Sequence, residues 1–201
     1  MRLLIALFLV VPVSVSAQQS EAVTEADSVD FEQALATLRK NISDSSDQLA
    51  DTRPNRTVVF LQRSLNGYLR FQGNSVLPKG LSDVVVEIQA DGRLSGTGML
   101  NLDETDDFAD ASSGVLRFLS GSLPVMVSVA IEEADRSVIV TVEEVQIGPV
   151  TVPTALAELL VQRYSVNESY PTGFDLSVPV ALPAAVRNVQ IRQGQIAIVT
   201  Q

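Results

Sequence analysis

The sequence predicts an α+β protein, a strongly curved antiparallel sheet wrapped around a helix with additional short helices. Three observations carry that expectation. Beyond Thr57, apolar residues recur at every second position in several stretches, each bounded by turn residues. Asp91-Gly92 and Gln193-Gly194 fall between such stretches, where tight turns join neighbouring antiparallel strands. Around Phe31, Leu65 and Leu156 the apolar spacing becomes three and four, the period of a helix packed along one side.

Phe31, Leu35, Leu38 and Ile42 place a helix over Asp30 to Ile42, with Asp30 and Gln33 as its capping pair and Arg39 and Lys40 at the end where the dipole favours cations. A hydrophilic linker runs on to Pro54. Thr57 to Phe60 is a short strand, and Leu61, Leu65, Tyr68 and Leu69 mark one face of a helix ending near Gly73. Val84, Val86, Ile88 and Ala90 share one side of the next strand, and Leu94, Gly96, Gly98 and Leu100 return on one face. Two glycines on one face predict a sharp bend or a close-packed backbone.

Asp103 to Asp110 holds five carboxylates, but Phe108 interrupts the acid-and-glycine spacing a calcium loop requires, so a solvated loop is expected. A short helix follows Ser113 and carries Val115, Leu116, Phe118 and Leu119. Val125, Val127, Val129 and Ile131 alternate along a strand whose partner, Ser137 to Val142, is apolar or small on both faces and therefore either buried twice or lining a cavity. Glu132-Glu133 and Glu143-Glu144 read as solvent-facing rims, since neither pair has an adjacent base or nucleophile. Pro153 opens a helix bearing Leu156, Leu159, Leu160 and Tyr164. Phe174 to Leu182 keeps a strict period of two, and Pro179 and Pro183 confine it to an edge or rim. Val189 to Ile198 closes as a hairpin.

The first 17 residues have the form of a secretory signal peptide, with Arg2, an apolar run from Leu3 to Val15 and the small residues Val15-Ser16-Ala17. The run is shorter than the roughly 20 apolar residues of a spanning helix, and no later segment is long and apolar enough. The expected divisions are a signal peptide at 1–17, an N-terminal helix and polar linker at 18–56, and a curved-sheet, helix-wrap domain at 57–201. A periplasmic or extracellular location in a bacterium follows from that reading.

Composition then narrows function. Cysteine, histidine and tryptophan are absent, which removes histidine-based triads, thiol nucleophiles and the usual zinc ligand sets. No catalytic residue, metal or cofactor is expected, and the protein reads as non-enzymatic. Loss of 1–17 removes Arg2 alone and leaves 13 basic against 24 acidic residues, a net charge of −11. Such a surface repels phosphate backbones and anionic lipid headgroups, so nucleic acid is excluded as a partner and a lipid would be held through buried apolar area, not through a basic face.

The helix containing Leu65-Asn66-Gly67-Tyr68-Leu69, the strand Val84 to Ile88, the phrase Ile147 to Pro153 and the closing Asp175 to Pro183 and Gly194 to Val199 together resemble small bacterial exported proteins that look like half of a tubular lipid-binding (TULIP) fold. The resemblance implies an apolar groove for acyl chains, enclosed between curved sheet and helix. Leu61 and Gln62 stand where such proteins show a Ser/Thr cap followed by Glu, and the helix at Phe31 has no counterpart there.

The residues and the resemblance lead to one leading expectation, a binding protein for a lipid or other hydrophobic small molecule. Its apolar groove is expected to be lined by Leu61, Leu65, Leu69, Val127, Val129, Val140, Leu156 and Leu160. The alternative is a structural protein of the cell envelope, its groove filled by its own side chains, that uses the rim strand from Phe174 to bind a protein partner.

Overall fold

The computed structural model describes residues 22–46, 54–105, 120–164 and 172–201. The expected signal peptide, most of the linker and the helix after Ser113 lie outside the described residues. The fold is α+β, and every strand pairing is antiparallel. In chain order the elements are α1 (Glu25–Ser46), β1 (Arg56–Leu61), α2 (Gln62–Val76), β2 (Leu81–Ile88), β3 (Arg93–Asn101), β4 (Ser122–Ala134), β5 (Ser137–Ile147), β6 (Val150–Thr151), α3 (Thr154–Tyr164), β7 (Val180–Ala181), β8 (Val186–Arg192) and β9 (Gln195–Thr200). They form two sheets. One has the order β1-β9-β8; the other has the order β2-β3-β4-β5-β6, with β7 added to the far half of β5.

The three-stranded sheet joins the two ends of the fold, Arg56 opposite Thr200 and Leu61 opposite Gln195. Val58 and Phe60 point inward from β1, and Phe31 of α1 lies edge-on to Phe60 at 5.5 Å and beside Tyr68 of α2 at 4.9 Å. Helix α1 starts five residues before the expected Asp30, because Thr24 and Asp27 cap it reciprocally. The Asp27 carboxylate accepts from the Thr24 N–H and hydroxyl, both at 2.7 Å, and the Asp27 N–H donates to Thr24 Oγ1 at 3.4 Å. The same carboxylate meets Arg63 Nε at 2.7 Å, which ties α1 to α2. These bonds, those from Thr24 first, hold the Asp27 carboxyl below its ordinary value of 3.8. Gly67 lets the helices touch, since a Cβ there would lie 2.8 Å from both Asp27 Cβ and the Ser28 nitrogen.

Helix α2 does not lie inside the curve of the large sheet; it runs along the open edge of β2. Gln62 and Asn66, one turn apart, face that edge and stand in for a missing strand. The Val86 N–H donates to Asn66 Oδ1 at 2.7 Å, Asn66 Nδ2 donates to the Val86 carbonyl at 2.9 Å, and the Ile88 N–H donates to Gln62 Oε1 at 2.7 Å. The β8–β9 turn completes the join, with Gly194 N–H donating to the Ile88 carbonyl and the Gln62 N–H donating to the Gly194 carbonyl.

In the large sheet, β4 and β5 turn through Asp135 and Arg136, both at positive φ (34° and 67°), the mirror-image turn that suits hairpin twist. A bulge at Glu143 preserves the inward face of β5. Val142 and Val145 are three residues apart, a spacing that would put them on opposite faces, but the ladder steps from Val129–Val142 to Ser128–Glu144 and leaves Glu143 as the extra residue. Arg93 Nε holds the displaced Glu143 on the outer face at 3.0 Å, bearing out the solvent-facing reading of that acidic pair.

The nine-residue rim strand expected from Phe174 to Leu182 is reduced to Val180–Ala181, paired to Val138 and Ser137. Upstream, Asp175 Oδ1 accepts from the Ser177 N–H at 2.9 Å and from its hydroxyl at 2.6 Å, so the backbone turns where a ladder would need it straight. Pro179 and Pro183 remove two further donors. Among the described residues no helix is long and apolar enough to cross a membrane.

Candidate functional site

Helix α3 crosses the face of the large sheet that carries alternate residues of β3, β4 and β5. Pro153 starts it, its carbonyl accepting from the Leu156 and Ala157 N–H groups. The register aligns Ile147 with Val125, Val145 with Val127 and Val142 with Val129, and on the other side of β4 sets Gly98, Gly96 and Leu94 opposite the same three valines. One face therefore presents a band of aliphatic side chains from β4 and β5, which β3 extends at these three positions only at Leu94 because Gly96 and Gly98 carry no side chain.

Val142, Val145, Ile147, Val152 and Ala157 form a buried cluster, with Leu156 and Leu176 against it. Against this cluster, and sharing Val142, Val145, Ile147 and Ala157 with it, a cavity of about 450 Å3 remains between helix and sheet, lined also by Val125, Val127 and Val129 of β4, Val140 of β5, Leu81, Leu100, and Leu160 and Val161 of α3. Phe174 and Leu176 close one side, and Pro78 and Lys79 of the α2–β2 turn border another. Among the described lining residues only Lys79 and Thr105 carry polar side chains, and the Thr105 hydroxyl is used locally, donating to the Leu102 carbonyl at 2.9 Å.

The two glycines of β3 divide the roles expected of them. A Cβ on Gly98 would lie 3.0 Å from the Ser82 carbonyl oxygen and 3.2 Å from Val84, because β2 bulges over it between Ser82 and Val85. A Cβ on Gly96 would meet nothing within 4 Å. Gly96 therefore leaves room beside Val127 where any other residue would fill space.

Of the eight residues expected to line a groove, the structure brings four together here: Val127, Val129, Val140 and Leu160. Leu156 packs against the adjoining buried cluster. Leu61 is 48% exposed at the end of β1, and Leu65 and Leu69 are half-buried on α2; none of the three is among the described lining residues. The reason is the position of α2, which its two amide side chains hold at the sheet edge while α3 covers the face. Val142, Val145 and Ile147 escaped sequence reasoning because the bulge resets their alternation, and the Glu143-Glu144 pair interrupting an apolar strand is the signal that marks it.

Among the described residues no three His, Cys, Asp or Glu side chains group as a metal site would require. No protein-family model, curated protein or solved structure matches this chain.

Proposed function

We propose that this chain is an exported, non-catalytic binding protein for a lipid or another hydrophobic small molecule, of the kind the resemblance to tubular lipid-binding proteins implies. The observation that carries this reading is the cavity between α3 and the β3–β5 face, about 450 Å3 in volume and bordered almost wholly by aliphatic side chains. That size falls within the roughly 300–1,000 Å3 of small-molecule sites. A sheet whose inner valines are only half covered by protein retains apolar surface that a ligand can bury. Each methylene transferred from water contributes about 0.8 kcal/mol. Affinity in a homologous series should therefore rise roughly tenfold for every two methylenes until the chain outgrows the cavity.

The alternative, docking of an envelope partner on the rim strand, has less to rest on. The segment beginning at Phe174 is a strand only at Val180–Ala181, and those two residues already pair with β5.

The test is native mass spectrometry of the protein taken gently from its own host, together with titration by N-phenyl-1-naphthylamine, an uncharged apolar dye. The expected result is a co-purified mass released by organic solvent and one dye site per chain. Gly96→Leu, which fills the space beside Val127, should abolish the dye site while leaving the circular dichroism spectrum unchanged. Protein that carries nothing and takes up no dye would overturn the reading.

A further inference from the structure

The border of the cavity carries one charged group among the described residues. Lys79 is exposed in the turn Pro78–Gly80 between α2 and β2 and has no hydrogen bond or ion pair among the described residues. The chain has only two lysines, Lys40 and Lys79, against 24 acids, so a free ammonium at the rim of an oily cavity stands out against the surrounding charge. Among the described residues, the two acids that follow Asn101 make hydrogen bonds of their own. The turn is fastened to β3 by the Asn101 N–H donating to the Gly80 carbonyl at 2.7 Å. Beyond it Glu104 accepts from Asn101 Nδ2 at 2.8 Å, and Asp103 accepts from the Gly121 N–H at 3.3 Å.

A lysine suits such a rim physically. Its four-carbon stem can lie along an apolar wall while the ammonium stays in water, and the ammonium pairs with carboxylate or phosphate as a point charge. Lys79 also follows the C-terminal end of α2, where the helix dipole favours a cation; that role would be indifferent to any ligand.

Accepting the cavity as a binding site, we propose that its ligand is an amphiphile with an anionic head, carboxylate or phosphate, whose chain lies between α3 and the valines of β4 and β5 and whose head pairs with Lys79 Nζ at the rim. The protein as a whole is strongly acidic and repels anions, so a preference for an anionic head must arise from a local cation.

The experiment measures binding of dodecanoate, dodecyl phosphate and dodecanol to the folded wild-type protein and to Lys79→Met, Lys79→Arg and Lys40→Met. Wild type should bind both anions about five- to tenfold more tightly than the alcohol, with the margin shrinking as salt is raised. Lys79→Met should bring all three to parity, Lys79→Arg should keep the preference and Lys40→Met should leave it unchanged. Acetate and inorganic phosphate should not compete at millimolar concentration, which separates a lipid head from a free anion; competition by either would overturn the amphiphile assignment. In protein with 13C-methylated lysines, the Lys79 resonance should move with dodecanoate and stay still with dodecanol, a response that a purely structural lysine would not give. Equal binding of acid and alcohol by wild type, or a preference that survives Lys79→Met, overturns this proposal and leaves the cavity's function standing. Failure of all three to bind overturns both.

Discussion

The two sheets of this protein use apolar residues to opposite ends. Where the β1-β9-β8 sheet meets α1 and α2 the contacts are close: Phe31, Phe60 and Tyr68 interlock, Gly67 admits the backbone of α1 at contact distance, and Asp27 spans two helices. Across the large sheet Val125, Val127, Val129 and Val140 are only half-buried beneath α3, and Gly96 faces open space. Both regions are rich in aliphatic residues, so composition does not separate them. What differs is whether facing elements interdigitate or stand apart, and a fold that keeps a cavity on one side needs the close packing on the other to hold it.

The sharpest way to break the comparison is to truncate one side chain in each region. Phe60→Ala should cost about 3–5 kcal/mol in urea unfolding, and Val127→Ala less than about 1 kcal/mol, because its neighbours already lack full contact. Similar losses at both sites would mean that the cavity is solidly filled in solution. Next in size is Asn66→Ala, which strips the Val86 N–H and carbonyl of their partner and should cost about 1–3 kcal/mol. Hydrogen exchange should then accelerate at Val86 and remain slow at Val58.

Asp27 distinguishes the packed region by its response to acid. Its folded-state carboxyl titrates below 3.8, so its contribution is fully present above about pH 4 and is lost as the pH falls through the folded value. Asp27→Asn should lower stability by about 1 kcal/mol at pH 7, and the gap in melting temperature between the two proteins should close as the pH falls through the folded-state value. A gap that stayed constant with pH would show that the carboxylate's charge contributes nothing.

The smallest effect contrasts two neighbours. Gly96→Ala should raise stability by about 0.5–1 kcal/mol, the usual penalty of a strand glycine removed at an open site. Gly98→Ala should lower it, since the Ser82 carbonyl must give way. Thermal melts of the two variants, expected to shift in opposite directions, check this.

Much of the architecture was legible because local rules dominated it. Asp91-Gly92 and Gln193-Gly194 marked real turns, and the alternation from Val125 to Ile131 and the helical spacing at Leu156 and Leu160 placed the strand and helix that border the cavity. Tertiary contacts decided the rest. Nothing local reveals that β1 pairs with β9 or that Gln62 and Asn66 replace a strand, since each depends on residues far away in the chain. Phe174 to Leu182 misled for the opposite reason. Its alternation is real and still delivers Phe174 and Leu176 to the cavity, but the Asp175 carboxylate takes the Ser177 N–H and the two prolines lack the N–H that a ladder would need.

The ladder between Arg56 and Thr200 also sets a timetable. During synthesis β1 emerges early and must wait for almost the entire remaining chain before its partner exists, and until then the aromatic contacts of Phe60 have no sheet behind them. Contacts this distant in sequence form slowly. A nascent chain halted before Gln195 would stay open and accessible to chaperones and proteases, and only release of β9 would let it shut.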